Sequence, residues 1–394
     1  MFVLELLYFA SAVWSKNYIL TLKDDMKSLS FGETSFVTEM SNEHNLELLA
    51  DFSENLLFYK TSQENLFKYA KTLSKFFDIE EDKKISLNDM SLPFELKGVN
   101  VFNNSVPWNL DRITKRSLPL DGEYKYSEKG SCHTNKDVEI HTYVIDTGID
   151  VDHPEFEGRA TWLANFVDSV DSDCQSHGTH CAGTIGSKTY GVCKDAKLFA
   201  VKVLGCDGSG STSSVISGIN YAFKRHLEEN KKNDNKIRSI VSMSLGGGYS
   251  PSLNKAVLAT TKDSQFYFAA AAGNEDNDSC RVSPASVKEI FTVMASDKDD
   301  NRAWFSNYGK CADIYSPGVN IMSTVPNNKT AVYSGTSMAT PGLVGVLNHY
   351  LNRYPNLNLA ELKKKVLSDA SKDTIVGNPQ RTSNLFVYLN RDEA

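Results

Sequence analysis

From residue 139 onward, short apolar runs alternate with stretches of helical periodicity, and few architectures accept that pattern. Candidate strands are 139–145, 198–204, 237–243, 266–271 and 290–295. Candidate helices are 178–187, 213–224, 252–262, 337–351 and 358–368. Most of these strands are apolar without interruption, as expected of strands covered on both faces. Their alternation with helices predicts an α/β domain, a parallel sheet flanked by helices on both sides. Such sheets build their sites where strands end and helices begin.

Residues 16–97 read differently. They are rich in Lys, Glu, Asp, Ser and Asn and contain no cysteine. Segments 17–22 and 56–60 look like strands, and Leu66, Tyr69, Ala70, Leu73, Phe76 and Phe77 recur at the spacing of an amphipathic helix over 64–77. This pattern suggests a small α+β domain, with a boundary near residue 98. The first twelve residues are apolar, too few to span a bilayer, and end in Ala10-Ser11-Ala12. That small-x-small ending suits signal-peptidase cleavage, although Glu5 interrupts the run and no basic residue precedes it. No later stretch is long and apolar enough for a membrane helix. The net charge of −7 over 394 residues argues against a general nucleic-acid binder. Lys363-Lys364-Lys365 reads as a solvated helix face.

Three runs at the strand–helix junctions carry chemistry. Asp146 follows the apolar Tyr143-Val144-Ile145 and precedes Thr147-Gly148. His177 opens the small-residue run Gly178-Thr179-His180-Cys181-Ala182-Gly183. Ser337 lies at the head of the helix through Met338-Ala339-Thr340-Pro341. A serine hydroxyl is a weak nucleophile that needs an imidazole base and a carboxylate to orient that base. Each run has an ordinary structural alternative: a turn aspartate, a core histidine, a helix-capping serine. Cys174, His177, His180 and Cys181 could also be grouped as a zinc cluster, but zinc sites usually draw on two separated pairs of ligands. Asn274 ends the apolar run Ala269-Ala270-Ala271-Ala272-Gly273, where an asparagine after glycine is also an ordinary turn residue.

The order Asp, His, Ser and the strings around them resemble the subtilisin-like serine proteases, nearest the proteinase K branch. The resemblance covers most of 106–390, beginning at Val106-Pro107-Trp108. It implies a secreted endopeptidase acting on proteins or peptides, with Asp146, His177, Ser337 and Asn274 as its catalytic set. Residues 1–12 become a signal peptide, 13–97 an inhibitory, folding-assisting propeptide and 98–394 the catalytic domain. Gly208, Ser209 and Gly210, together with Ser244, Leu245 and Gly246, resemble strands that clamp a peptide, and Ala271 and Gly273 join them. No acidic cluster marks that groove, so P1 preference is expected to be apolar or broad. The chemistry needs no cofactor. A structural calcium is implied at Asp313, with the carbonyls of Lys288 and Ile290. A monomer is expected, with the propeptide as an internal inhibitor.

By the same resemblance, Cys174 pairs with Cys206 and Cys280 with Cys311, while Cys181 stays free. Cys132 and Cys193 are unassigned; the odd total of seven leaves at least one thiol outside intrachain pairs. Ser176 stands where glycine often precedes the histidine, and Gly342 replaces a usual histidine. A non-enzymatic, peptide-binding relative remains the alternative.

Overall fold

The structure is a computed structural model that describes residues 16–24, 39–52, 56–87, 106–124, 132 and 135–390. The candidate signal peptide and the boundary near 98 lie outside these residues. The chain divides into two compact units, Met1–Lys83 and Lys84–Ala394.

In the first unit, β1 (Asn17–Leu22), β2 (Glu47–Asp51), β3 (Leu57–Ser62) and β4 (Phe77–Glu81) form an antiparallel sheet in the order β2-β3-β1-β4. The helix Gln63–Phe76 starts where the Ser62 hydroxyl accepts the Asn65 N–H. Its apolar stripe buries Leu66 and Leu73 with Leu20, Leu22, Tyr59 and Phe77 of the sheet. This is the expected α+β unit. The strands β2 and β4 were not legible because neither shows clean two-residue alternation.

The second unit begins with β5 (Lys84–Ser86). Its main strands are β6 (Glu139–Asp146), β7 (Ala160–Asn165), β8 (Lys197–Lys202), β10 (Ile237–Met243), β12 (Phe266–Ala271), β14 (Phe291–Ser296) and β15 (Ile314–Pro317). Short pieces are β9 (Ser209–Ser211), β11 (Gly247–Gly248) and β13 (Val282–Ser283). The remainder are β16 (Ile321–Val325), β17 (Lys329–Tyr333), β18 (Ser371–Lys372) and β19 (Leu385–Phe386). Nine strands make one sheet in the order β18-β19-β15-β14-β12-β10-β6-β8-β7. Every neighbouring pair is parallel except β18 with β19.

Helices cover both faces, so alternate residues of one strand enter different cores. Val144 packs in the core that contains the helices His177–Gly186, Thr336–Arg353 and Leu359–Asp369. Ile145, its neighbour, faces Gly218 of the helix Thr212–Lys232 on the other side. The expected α/β architecture is therefore present, with helix ends within two residues of expectation except at 232. There the last two turns are polar, and the periodicity fades before the helix does. The edge strand β7 was missed because only Ala160 of its six residues is buried. The hairpin of β16 and β17 stands apart from the main sheet.

Candidate active site

Asp146 is the last residue of β6 and is fully buried. One carboxylate oxygen lies 2.7 Å from His177 Nδ1 and also accepts the Thr147 N–H at 2.7 Å. A carboxylate on Nδ1 fixes the tautomer and turns Nε2 toward whatever the base must serve. His177 is the first residue of its helix and is itself buried.

The helix bearing His177 is pinned at its N-terminus. Gly178 donates its N–H to Thr147 Oγ1, and a Cβ on Gly178 would sit 2.0 Å from the Gly148 carbonyl oxygen. Only glycine permits that approach, which joins the aspartate loop to the histidine helix. Asp173, buried, ties the same junction together. One of its oxygens accepts from Thr147 Oγ1, Gln175 N and Ser176 N; the other accepts from Thr179 N and Oγ1. A carboxylate suits the positive end of a helix. Sequence reasoning missed Asp173; its place just ahead of a helix start was the available signal. Ser176 has φ of 97°, in the region that favours glycine, and its hydroxyl lies 2.7 Å from Tyr333 Oη.

His180 and Cys181 belong to the frame around the site. His180 Nε2 faces the carbonyls of Ile321 and Ala331 at 3.0 and 3.2 Å, so that nitrogen carries the proton. The ring stacks on Tyr333, and burial, aided by nearby His177, pushes its pKa down to about 3. Cys181 is a free, buried thiol. Its sulfur lies 3.9 Å from each ring nitrogen of His177 and 3.5 Å from the Ser337 carbonyl oxygen, and burial raises its pKa. The thiol thus lies between the His177 ring and the Ser337 segment.

Ser337 is the second residue of the helix Thr336–Arg353, whose early N–H groups have no acceptor within the helix. Its hydroxyl donates to the Ser244 carbonyl at 3.1 Å. Pro341 sits inside this helix, one turn beyond Ser337. Its missing N–H frees the Ser337 carbonyl, which accepts the Ser244 hydroxyl at 2.8 Å. Asn274 Oδ1 accepts both the N–H and the hydroxyl of Thr336, each at 2.8 Å. Because those partners donate, the oxygen is fixed there and the amide NH₂ points away from Thr336. Asn307, also missed in the sequence, braces the loop after Gly273. It accepts from Glu275 N and Asn277 N and donates to the Ala272 carbonyl and the Glu275 carboxylate.

The segments expected to clamp a peptide already hold one. The strand β5 pairs antiparallel with β9, matching Ile85 to Gly210 and Ser86 to Ser209. Leu87 N–H donates to the Gly208 carbonyl at 3.0 Å, and Ser86 bridges Gly246 on the other side. Ile85 is buried, with its Cδ1 2.6 Å from where a Gly247 Cβ would be. A stretch of this same chain is therefore a strand between Gly208–Ser211 and Gly246–Gly247. Ser244 and Leu245 lead into that groove, both buried; Ala271 and Gly273 end and follow β12 on the way to Asn274.

Metal expectations fare differently. Cys174 is bonded to Cys206, so the zinc grouping is not assembled. Cys280 pairs with Cys311, and Cys132, previously unassigned, pairs with Cys193. Among the described residues, Asp146, His177 and Cys181 form one cluster of metal-capable groups; Cys132, Cys193 and Asp195 also lie together, but the disulfide removes both sulfurs as ligands. The oxygens of Asp313, Lys288 and Ile290 do converge, but on the ammonium of Lys363. A calcium ion does not fit where that ammonium stands. The reading of Lys363 as part of a solvated face is corrected with it: the side chain is turned inward.

Comparison with known proteins agrees with this geometry. The profile of the subtilase family matches residues 140–388. The chain is 41% identical over 342 residues to the subtilisin-like serine protease Rho m 2.0101 of Rhodotorula mucilaginosa, covering 82% of this chain and 95% of that one. It is 37% identical to the cuticle-degrading protease of Metarhizium anisopliae, over 96% of this chain and 91% of that one. A crystal structure of a cold-adapted subtilisin-like serine proteinase superposes with a TM-score of 0.66 at 38% identity, covering 73% of this chain and all of the other. No helix among the described residues is long and apolar enough to cross a membrane. The α/β sheet, the matched profile and relatives at this identity together place the chain in the subtilase family, as a subtilisin-like serine protease.

Proposed function

We propose that the protein is a secreted endopeptidase in which Ser337 attacks the peptide carbonyl. His177 takes the serine proton and returns it to the leaving amine, while Asp146 orients the ring and stabilises its charged form. The Ser337 N–H and the Asn274 amide hold the oxyanion. Water then hydrolyses the acyl-enzyme. The observation that carries this reading is the 2.7 Å contact of Asp146 with His177 Nδ1 in a buried frame that also holds Ser337 through Cys181 and Ser244.

Substrate would add as a strand between Gly208–Gly210 and Ser244–Gly246, where β5 now pairs. That pairing supports reading residues 13–97 as a propeptide whose last segment blocks the groove until it is cut. The chain pairs in the groove at Lys84–Ser86, and a cut at the expected boundary near 98 would fall beyond this strand. P1 preference is apolar or broad: the Ala269–Ala272 run brings no charge, the Glu275 carboxylate is held by Asn307, and Asp276 pairs with Arg302. Three disulfides support an oxidising, extracellular destination. The name of the Metarhizium relative makes cuticle one candidate substrate.

The test is hydrolysis of peptide anilides by processed protein, with Ser337→Ala as the control. Turnover is expected on aromatic and aliphatic P1 residues, with the variant inactive and still joined to its N-terminal region. Activity confined to Lys or Arg at P1 would refute the specificity, and normal self-processing of the variant in a protease-free system would refute the autocatalytic step.

A further inference from the structure

We propose that the Lys363 ammonium is a built-in cation that replaces calcium at the Asp313 site, making this part of the fold independent of metal. Lys363 Nζ lies 2.8 Å from Asp313 Oδ2, 2.7 Å from the Lys288 carbonyl oxygen and 2.5 Å from the Ile290 carbonyl oxygen. An ammonium has three donors and no acceptor, and three oxygens meet it here. The match is complete: each donor has one partner.

The oxygens themselves are arranged as for a cation. Two come from the carbonyls on either side of Glu289, on the loop that leads into β14. The third comes from the residue preceding β15, and Asp313 Oδ2 also accepts the Thr292 N–H at 2.8 Å. Burial pushes the Asp313 carboxyl up, and Lys363 opposes that shift. A cation offsets the cost of holding a largely buried carboxylate ionised beside two carbonyl dipoles. Calcium would require six to eight oxygens at roughly 2.3–2.6 Å. Lysine needs three, and it leaves the pair with Asp313 neutral.

Lys363 is well placed to do this. It lies on the helix Leu359–Asp369, whose start is fixed by a capping box between Asn358 and Glu361. Its ammonium is 6.0 Å from the centre of the Phe291 ring, and its side chain is only 14% exposed. The residue therefore ties this helix to two neighbouring strands of the main sheet. A metal ion would bind the loop to Asp313 without involving the helix; the lysine adds a charged link from the helix to both, beside the apolar packing of Leu359, Leu362 and Val366.

The experiment uses the full chain carrying Ser337→Ala, so that self-digestion does not intervene. Calcium stoichiometry is measured by equilibrium dialysis, and thermal midpoints are read in EDTA and in millimolar calcium. Adding Lys363→Ala is expected to lower the midpoint in EDTA, to restore most of it in calcium and to add one bound calcium per chain. Lys363→Met fills the space without charge; it is expected to lower the midpoint and to gain no calcium response. Asp313→Asn in the chain that keeps Lys363 is expected to leave the calcium count unchanged. The proposal is overturned if Asp313→Asn removes a bound calcium, if Lys363→Met is as stable as its parent, or if Lys363→Ala binds no additional ion. Should Lys363→Ala fail to fold, the Asp313→Asn and Lys363→Met results decide.

Discussion

At the scale of single residues, the site depends on which atom each hydrogen bond commits. Asn274 gives its oxygen to Thr336, which turns its amide hydrogens away from that residue; in the proposed mechanism those hydrogens meet the developing oxyanion. Asn274→Ala is expected to lower kcat about 10²–10³-fold with KM little changed, because the interaction is made in the transition state. A matching rise in KM with kcat intact would show that the amide binds ground-state substrate instead. His180 yields a different prediction. Its folded pKa, about 3, lies below its unfolded value near 6.5, so the unfolded chain takes up its proton first. The stability that comes from burying it neutral is therefore fully present above about pH 6.5 and lost as pH falls toward 3. Between pH 7 and 4 this amounts to about 3 kcal/mol. In urea titrations at the two pH values, His180→Gln is expected to lose less stability than its parent by about that amount. Equal losses would show that another group controls the acid limb.

At the scale of elements, two helix starts and one strand end meet, and their closeness rests on small residues. Gly178 is the plainest case, because a methyl group there would overlap the Gly148 carbonyl. Gly178→Ala is expected to cost about 3 kcal/mol and to displace His177 from Asp146, lowering both the thermal midpoint and kcat. An unchanged midpoint would mean that the junction is looser than drawn. Pro341 works in the opposite direction. By withholding an N–H it leaves the Ser337 carbonyl to Ser244, and a helix defect becomes a tether for the serine. The element-level pattern was readable because buried parallel strands are uniformly apolar. β7 and β15 were not, one being half-exposed at an edge and the other four residues long with a terminal proline.

At the scale of the whole molecule, the legible features were those encoded in contiguous strings. Asp146, His177, Ser337 and Asn274 each announce themselves through their neighbours in sequence. Asp173 and Asn307 do not, since each acts by collecting backbone N–H groups that only the fold brings near. Lys363 was misread for the same reason: three consecutive lysines look alike until the direction of each side chain is known. Its partners lie over forty positions away in the chain. The strand β5 was likewise invisible, because Lys84-Ile85-Ser86 has no pattern of its own and takes its conformation from the groove it enters. Two kinds of information are thus separated: the motif residues are marked by their neighbours in sequence, whereas the pairing of β5 and the surroundings of Lys363 are tertiary.

The central claim is that Ser337 is the nucleophile of a peptidase. Titrating processed protein with a serine-directed sulfonyl fluoride, and locating the adduct by mass spectrometry, tests it most directly. One equivalent of label on Ser337, with peptide hydrolysis lost in proportion, is the expected result; full activity with Ser337 labelled, or loss of activity with the label elsewhere, would contradict it.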